Sequence, residues 1–197
     1  MVLESFYTTN VTDTERVIID DIVNALSSSD EKIWNFLNVK DAIDGIEGKN
    51  YDISQLSEHA SQREAYVIKV SDKEKSIDIA FKIHTNEWDY TENICTAQTN
   101  LEYIMDLGYT PDFLWTGLIE DSDNKFRVIA HRYFDGQKYS ESDKTNPKIQ
   151  AAYKEFMTVM KPHLEITFDE SDIMVINEND NYRIVLTDLN KIKQIRI

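Results

Sequence analysis

The residues able to do chemistry are few and scattered. His84, His131 and His163 lie far apart, with no His-x-x-x-His spacing, so no metal site is expected on them. Cys95 is the single cysteine, which leaves no internal disulfide and no Cys-rich zinc site. Beside a helical apolar face it reads as a small buried hydrophobe. The acidic run Glu120-Asp121-Ser122-Asp123 offers carboxylates to calcium, but it lacks the full loop spacing and a following glycine, and reads as a solvated hairpin tip. Three other charges stand at the edges of apolar runs. Lys82 sits on an alternating strand, where a lysine is ordinarily solvated. Asp172 immediately precedes one apolar run, and Asp188 comes just after another, both positions where an aspartate commonly caps a turn.

The elements that must position these charges follow from periodicity. Thr12 to Glu15 has capping-box spacing, and Val17, Ile18, Ile22 and Leu26 recur at helical intervals after it. A second helix is expected around Ile33, Trp34, Phe36 and Leu37. The texture changes near residue 60. Glu64–Val70 and Ser76–His84 alternate around the polar turn Ser71–Lys75 and read as a hairpin. Ile94, Ala97, Leu101, Ile104 and Met105 then share a helical face, with Gly108 as its C-cap. Two strands, Phe113–Ile119 and Phe126–Tyr133, follow. After the polar stretch Gln137–Asn146, Pro147 opens a helix carrying Ile149, Ala152, Tyr153, Phe156, Val159 and Met160. Strands at Ile173–Ile176 and Tyr182–Leu186 close the chain.

This order, and four local sequences within it, resemble the protein-kinase-like fold and its aminoglycoside-phosphotransferase relatives. Ala80-Phe81-Lys82-Ile83 resembles the Ala-x-Lys of the third kinase strand. His131-Arg132-Tyr133-Phe134-Asp135-Gly136 resembles the hinge. Asp172-Ile173-Met174-Val175 resembles the Asn-Ile-Leu-Val after the catalytic loop. Tyr182–Asn190 resembles the strand ending in the metal-binding Asp-Phe-Gly. The resemblance spans roughly residues 60–197. It implies an α+β, minimal protein-kinase-like fold: an antiparallel N-lobe sheet with one packed helix over 61–136, a much reduced C-lobe with a remnant catalytic loop and metal-binding strand over 137–197, and a helical N-terminal extension over 1–60. It also implies roles. Lys82 would hold the α- and β-phosphates of ATP, steadied by a helix glutamate. Gln98 lies closest to the edge of the apolar face, Glu92 points nearly opposite, and Glu102 is the glutamate taken for that partner. Asp172 and Asp188 would bind magnesium, a hard cation that takes carboxylate oxygen.

The departures from the pattern shape the functional reading. A glycine-rich loop lets backbone N–H groups approach phosphates closely. Neither Ser57–Arg63 nor Ser71–Lys75 contains a glycine. Counting back from Asp172, the catalytic aspartate position holds Thr167, which cannot act as a general base at neutral pH, a role commonly worth about 10²–10⁴ in rate. Glu165 stands at the motif histidine, and Leu189-Asn190 replaces Phe-Gly. With Ile197 the last residue, an activation segment and substrate-binding helices have no room. The expectation is a pseudokinase-like protein that acts by binding an unidentified protein partner and retains ATP and magnesium without phosphotransfer. An irregular phosphotransferase using Asp169 as base is the enzymatic variant.

Composition narrows the other classes. The chain has 197 residues, 41% of them hydrophobic, which suits a globular core. Lys plus Arg is 21 against 36 Asp plus Glu, a net charge of -15. That argues against direct nucleic-acid binding or attachment to an anionic membrane, because both need a positive face. Trp88, Trp115 and the ten tyrosines lack the Arg/Lys interleaving of a base-stacking surface. No basic and apolar leader opens the sequence and no apolar run spans a bilayer, so a cytoplasmic location is expected. The Gly- and Pro-poor composition is also similar to that of small proteins of phages infecting low-GC bacteria. The alternative expectation is therefore an acidic interaction or inhibitor protein that binds a host factor in the host cytoplasm, with no nucleotide.

Overall fold

The computed structural model describes residues 1–28, 36–56, 66–84, 98–121, 124–165, 167–188 and 192. The chain is mixed α+β with antiparallel sheets and forms two compact units. Met1–Tyr90 and Phe113–Tyr133 make the first; Thr91–Asp112 and Phe134–Ile197 make the second.

The first unit is built on a six-stranded sheet in the order β1-β5-β6-β4-β3-β2. Its strands are β1 (Val2–Tyr7), β2 (Tyr51–Gln55), β3 (Tyr66–Asp72), β4 (Ile77–His84), β5 (Phe113–Asp121) and β6 (Asn124–Arg132). All neighbours pair antiparallel. Between β3 and β4 the chain turns on Asp72, whose Oδ1 accepts from the N–H groups of Glu74 and Lys75, each at 3.1 Å. Helices α1 (Asp13–Ser28) and α2 (Phe36–Asp44) belong to the same unit.

Helix α1 starts where its capping box places it. The Glu15 N–H donates to Thr12 Oγ1 at 3.2 Å, and Glu15 Oε2 accepts from the Thr12 N–H at 2.8 Å. Its buried stripe is Ile18, Ile19, Ile22, Val23 and Leu26, spaced for one helical face. Val17, expected on that stripe, is exposed. In α2 the inward residues are Val39 and Ile43, while Leu37, expected inward, is exposed. Ile33 and Trp34 lie outside the described residues. The stripes of both helices share one core with Ile53, Ile68, Val70, Ile79, Phe81, Ile83, Val128 and Ala130 of the sheet.

Residues 1–60 are therefore not purely helical. The expected helical extension also supplies β1 and β2, which occupy the two edges of the sheet. Both are short of the alternating apolar signal. Only Ile53 of β2 is buried, and β1 carries a register shift between Val2 and Glu4.

The second unit contains α3 (Gln98–Asp106), β7 (Gln137–Lys138), α4 (Pro147–Met160), β8 (Ile173–Glu178) and β9 (Asn181–Leu186). The three strands form a sheet in the order β7-β8-β9, and α4 lies against β9. Asn146 caps α4, its Oδ1 accepting from Lys148 N–H at 3.0 Å, and Pro147 occupies the first turn, where no N–H is needed. Phe156 packs edge-on to Tyr109 at 5.6 Å and stacks with Tyr153. Asn179 and Asp180 take positive φ, 54° and 66°, as a two-residue hairpin turn between β8 and β9 requires. Helix α3, read from sequence with 61–136, falls in this second unit. The start of that helix face, Ile94 and Ala97, and Cys95 lie outside the described residues.

Candidate functional site

In the first unit the site residue is Lys82, on β4 near the middle of the sheet. Strand alternation puts Ile79, Phe81 and Ile83 on the face that packs against α1 and α2, and sends Ala80, Lys82 and His84 to the other. Register completes that second face. Lys82 stands between Val67 and Ile129, Ala80 between Lys69 and His131, and His84 opposite Arg127. One face of a strongly acidic chain thus gathers Lys69, Lys82 and Arg127 with two histidines. The N-terminal helices cover the opposite face; on this one Ala80, His84, Arg127 and Ile129 are buried and Lys82 is half-buried.

The chemistry of this face is tightly held. Lys69 Nζ pairs with Asp78 Oδ2 at 2.7 Å and lies 4.2 Å from the Tyr133 ring centre. His84 is 5% exposed, and its Nε2 has no hydrogen-bond partner among the described residues. Burial, reinforced by the positive charges of Lys82 and Arg127, pushes its pKa down to about 3. The ring is therefore neutral at pH 7.

The hinge-like segment begins where β6 ends. Arg132 Nε donates to Glu15 Oε1 at 2.6 Å, Nη2 donates to Oε2 at 3.1 Å, and Nη2 also reaches the Asn10 carbonyl at 2.9 Å. This fork locks the first turn of α1 to β6. Burial would raise the Glu15 pKa, but Arg132 and the Thr12 bonds outweigh it and hold the carboxyl below its ordinary range. The capping box was legible in sequence; the reach of Arg132 across 117 residues was not. Beyond the hinge, Gly136 passes close to β8. A Cβ there would stand 3.1 Å from the Val175 carbonyl oxygen and 3.3 Å from Ile176 Cγ1, so Gly136 has a packing reason to be glycine.

In the second unit the two candidate aspartates flank the same end of the β8–β9 hairpin. Ile173 pairs with Leu186, and Thr187 extends the ladder by donating its N–H to the Asp172 carbonyl at 2.9 Å and its hydroxyl to the same oxygen at 3.1 Å. Asp172 precedes the first of these strands and Asp188 follows the second, and both are half-buried. Asp172 also closes a capping box. Its Oδ2 accepts the Asp169 N–H at 2.9 Å, while Asp169 Oδ1 accepts the Ser171 N–H at 2.6 Å. Asp169, weighed as an irregular base, is thus an exposed cap residue. Thr167 is exposed nearby. Glu102 is half-buried on α3, next to buried Leu101 and two residues before buried Ile104. So Glu102, Asp172 and Asp188 belong to the second unit and Lys82 to the first.

The donor set can be tested against magnesium. Two aspartates at one hairpin end supply hard oxygens, and magnesium is commonly held by one or two carboxylates plus water and phosphate. Among the described residues no group of three or more His, Cys, Asp or Glu is arranged to hold a metal by itself. Residues 57–65 and 189–191 lie outside the described residues, so the loop before Glu64 and the Leu189-Asn190 substitution are known from sequence alone.

No protein-family model matches the chain, and no curated protein does. Among solved structures, the chain is similar to a double mutant of the Mycobacterium tuberculosis PknI kinase domain, at 13% identity and a TM-score of 0.40. The match covers 71% of this chain and 58% of that one, so the chain spans under two thirds of the kinase domain it matches. Among the described residues, no helix is long and apolar enough to cross a membrane.

Proposed function

We propose that this chain is a degenerate kinase-like protein that binds a nucleotide with magnesium and does not transfer the phosphoryl group. The observation that supports the reading is the Ile173–Leu186 pairing, which leaves Asp172 and Asp188 at the same end of the β8–β9 hairpin. Carboxylates at one strand end are the hard-oxygen donors that a phosphate-bound cation takes. Lys82, with Lys69 and Arg127 on the same sheet face, supports the same reading, because positive charge attracts phosphate.

In this reading Lys82 is a phosphate ligand, and Asp172 and Asp188 would hold magnesium, whose charge neutralises phosphate when bound. Thr167 supplies no base, so a substrate hydroxyl keeps its proton and the bound nucleotide stays intact. The output is then a conformation or a surface offered to a protein partner.

Thermal unfolding of the full chain with ATP and magnesium tests the proposal. At a hundredfold excess over the dissociation constant, binding adds about 2.7 kcal/mol. For a chain of this size that raises Tm by about 5–10 °C. Lys82→Ala and Asp188→Ala should each abolish the rise, and radiolabelled ATP should transfer no phosphate. No rise at millimolar nucleotide overturns the nucleotide reading; label transfer abolished by Asp188→Ala overturns the loss of catalysis.

A further inference from the structure

The second unit holds a cavity of about 270 Å³ between α4, β9 and the turn after α3. Its walls include Leu107, Gly108, Tyr109, Ala152, Glu155 and Arg183. The volume approaches that of small-molecule sites, which begin near 300 Å³. Three features give it chemical character. The Nε of Arg183 is buried and has no hydrogen-bond partner among the described residues. A buried N–H donor without an acceptor is costly, and native structures ordinarily satisfy such groups. Next, the Tyr109 hydroxyl donates to the Glu155 carboxylate, so one wall of the cavity is already negative. Finally, Gly108 ends α3 at φ 79°, and a Cβ there would meet nothing within 4 Å, which leaves the wall beside Leu107 open.

These features select a ligand. The guanidinium of Arg183 presents flat, paired donors that match a carboxylate. Glu155 repels a ligand bearing two or more negative charges, which disfavours phosphate. Leu107 and Ala152 offer apolar surface to a compact hydrocarbon body. We propose that this cavity binds a small monocarboxylate, its oxygens on Arg183 and its apolar body against Leu107 and Ala152. The site lies wholly within the second unit and uses none of Lys82, Glu102, Asp172 or Asp188, so it stands apart from the nucleotide reading.

The test uses the full-length ¹⁵N-labelled chain and follows the arginine Nε–H resonances, with that of Arg183 assigned by its loss in Arg183→Lys. Isovalerate is the probe. Isoamylamine carries the same body without the carboxylate, and inorganic phosphate carries charge without the body. Isovalerate should shift the Arg183 signal saturably with a dissociation constant of about 1 mM, as suits a ligand of few atoms. Isoamylamine should leave the signal unmoved, and phosphate should bind at least about tenfold more weakly. Ala152→Trp fills the cavity without touching the guanidinium and should remove the isovalerate response; unchanged circular dichroism checks its fold. The wild-type comparison of the three probes stands even if that variant unfolds. An Arg183 signal unmoved by isovalerate far above millimolar concentration means the cavity holds water only, and overturns the proposal. So does an equal response to the amine, or tighter binding of phosphate.

Discussion

His84 makes the first unit sensitive to acid. Its folded pKa of about 3 lies well below the ordinary histidine value near 6.5. Between those values the unfolded chain binds a proton that the folded chain refuses. Folding therefore weakens as pH drops below about 6.5, and stabilises again as pH rises through it. At pH 5 this one residue costs about 2 kcal/mol relative to pH 8. His84→Phe keeps a ring of similar size in the buried site and removes both the proton and the unpartnered Nε2. Chemical denaturation at pH 8 and pH 5 should show wild type losing about 2 kcal/mol more than the variant over that interval. Equal losses in the two proteins would mean the ring has an acceptor or solvent at Nε2.

At the scale of elements, the Glu15–Arg132 fork joins α1 to the end of β6, and removing either side tests it. Arg132→Ala strands a carboxylate that is 7% exposed. Breaking a buried pair costs about 3–5 kcal/mol, and the 36% exposure of Arg132 brings the expected loss down to about 2–3 kcal/mol. Glu15→Gln keeps much of the capping geometry and loses less. The Glu15 pKa is lowered in the fold, so its stabilisation is present above the ordinary carboxylate pKa and lost as pH falls through the folded value. The gap between wild type and Glu15→Gln should accordingly close below about pH 4, read by urea unfolding midpoints. A gap constant down to the acid limit would mean the Arg132 bond does not depend on charge.

Elements also show what could be read in advance. Strands β3, β4, β5, β6, β8 and β9 were legible because their apolar residues alternate or run together between polar turns. The starts of α1 and α4 were legible because Thr12, Glu15 and Pro147 are local signals. Strands β1, β2 and β7 were not. Their places are set by partners distant in sequence, β5, β3 and β8, and Gln137-Lys138 carries no apolar residue at all. Asp172 and Asp188 could be proposed from the likeness of their local sequences to kinase motifs, and the Ile173–Leu186 pairing leaves both at one hairpin end. The Arg183 cavity had no such signal, since an arginine on a strand looks solvated until its neighbours are known.

For the whole molecule, charge sets the behaviour in solution. A net charge of -15 repels itself in the compact state. Raising NaCl from about 0.01 M to about 0.3 M shortens the screening length from about 30 Å to well under 10 Å. Tm in buffer at pH 8 should rise by a few degrees over that range. A fall instead would mean that the ion pairs, such as Lys69–Asp78 and Arg132–Glu15, outweigh the repulsion.

The pairing of β1 with β5 also governs when the fold can be completed. Val2 lies beside Ile119, so the first strand has no partner until some 120 residues have been made. At typical rates of synthesis, about 5–20 residues per second, that wait lasts roughly 6–24 s. Contacts so distant in sequence slow the search for the native state, and an unpaired strand edge invites association with other chains. The strand that finishes the sheet is thus the segment most in need of shelter during biogenesis.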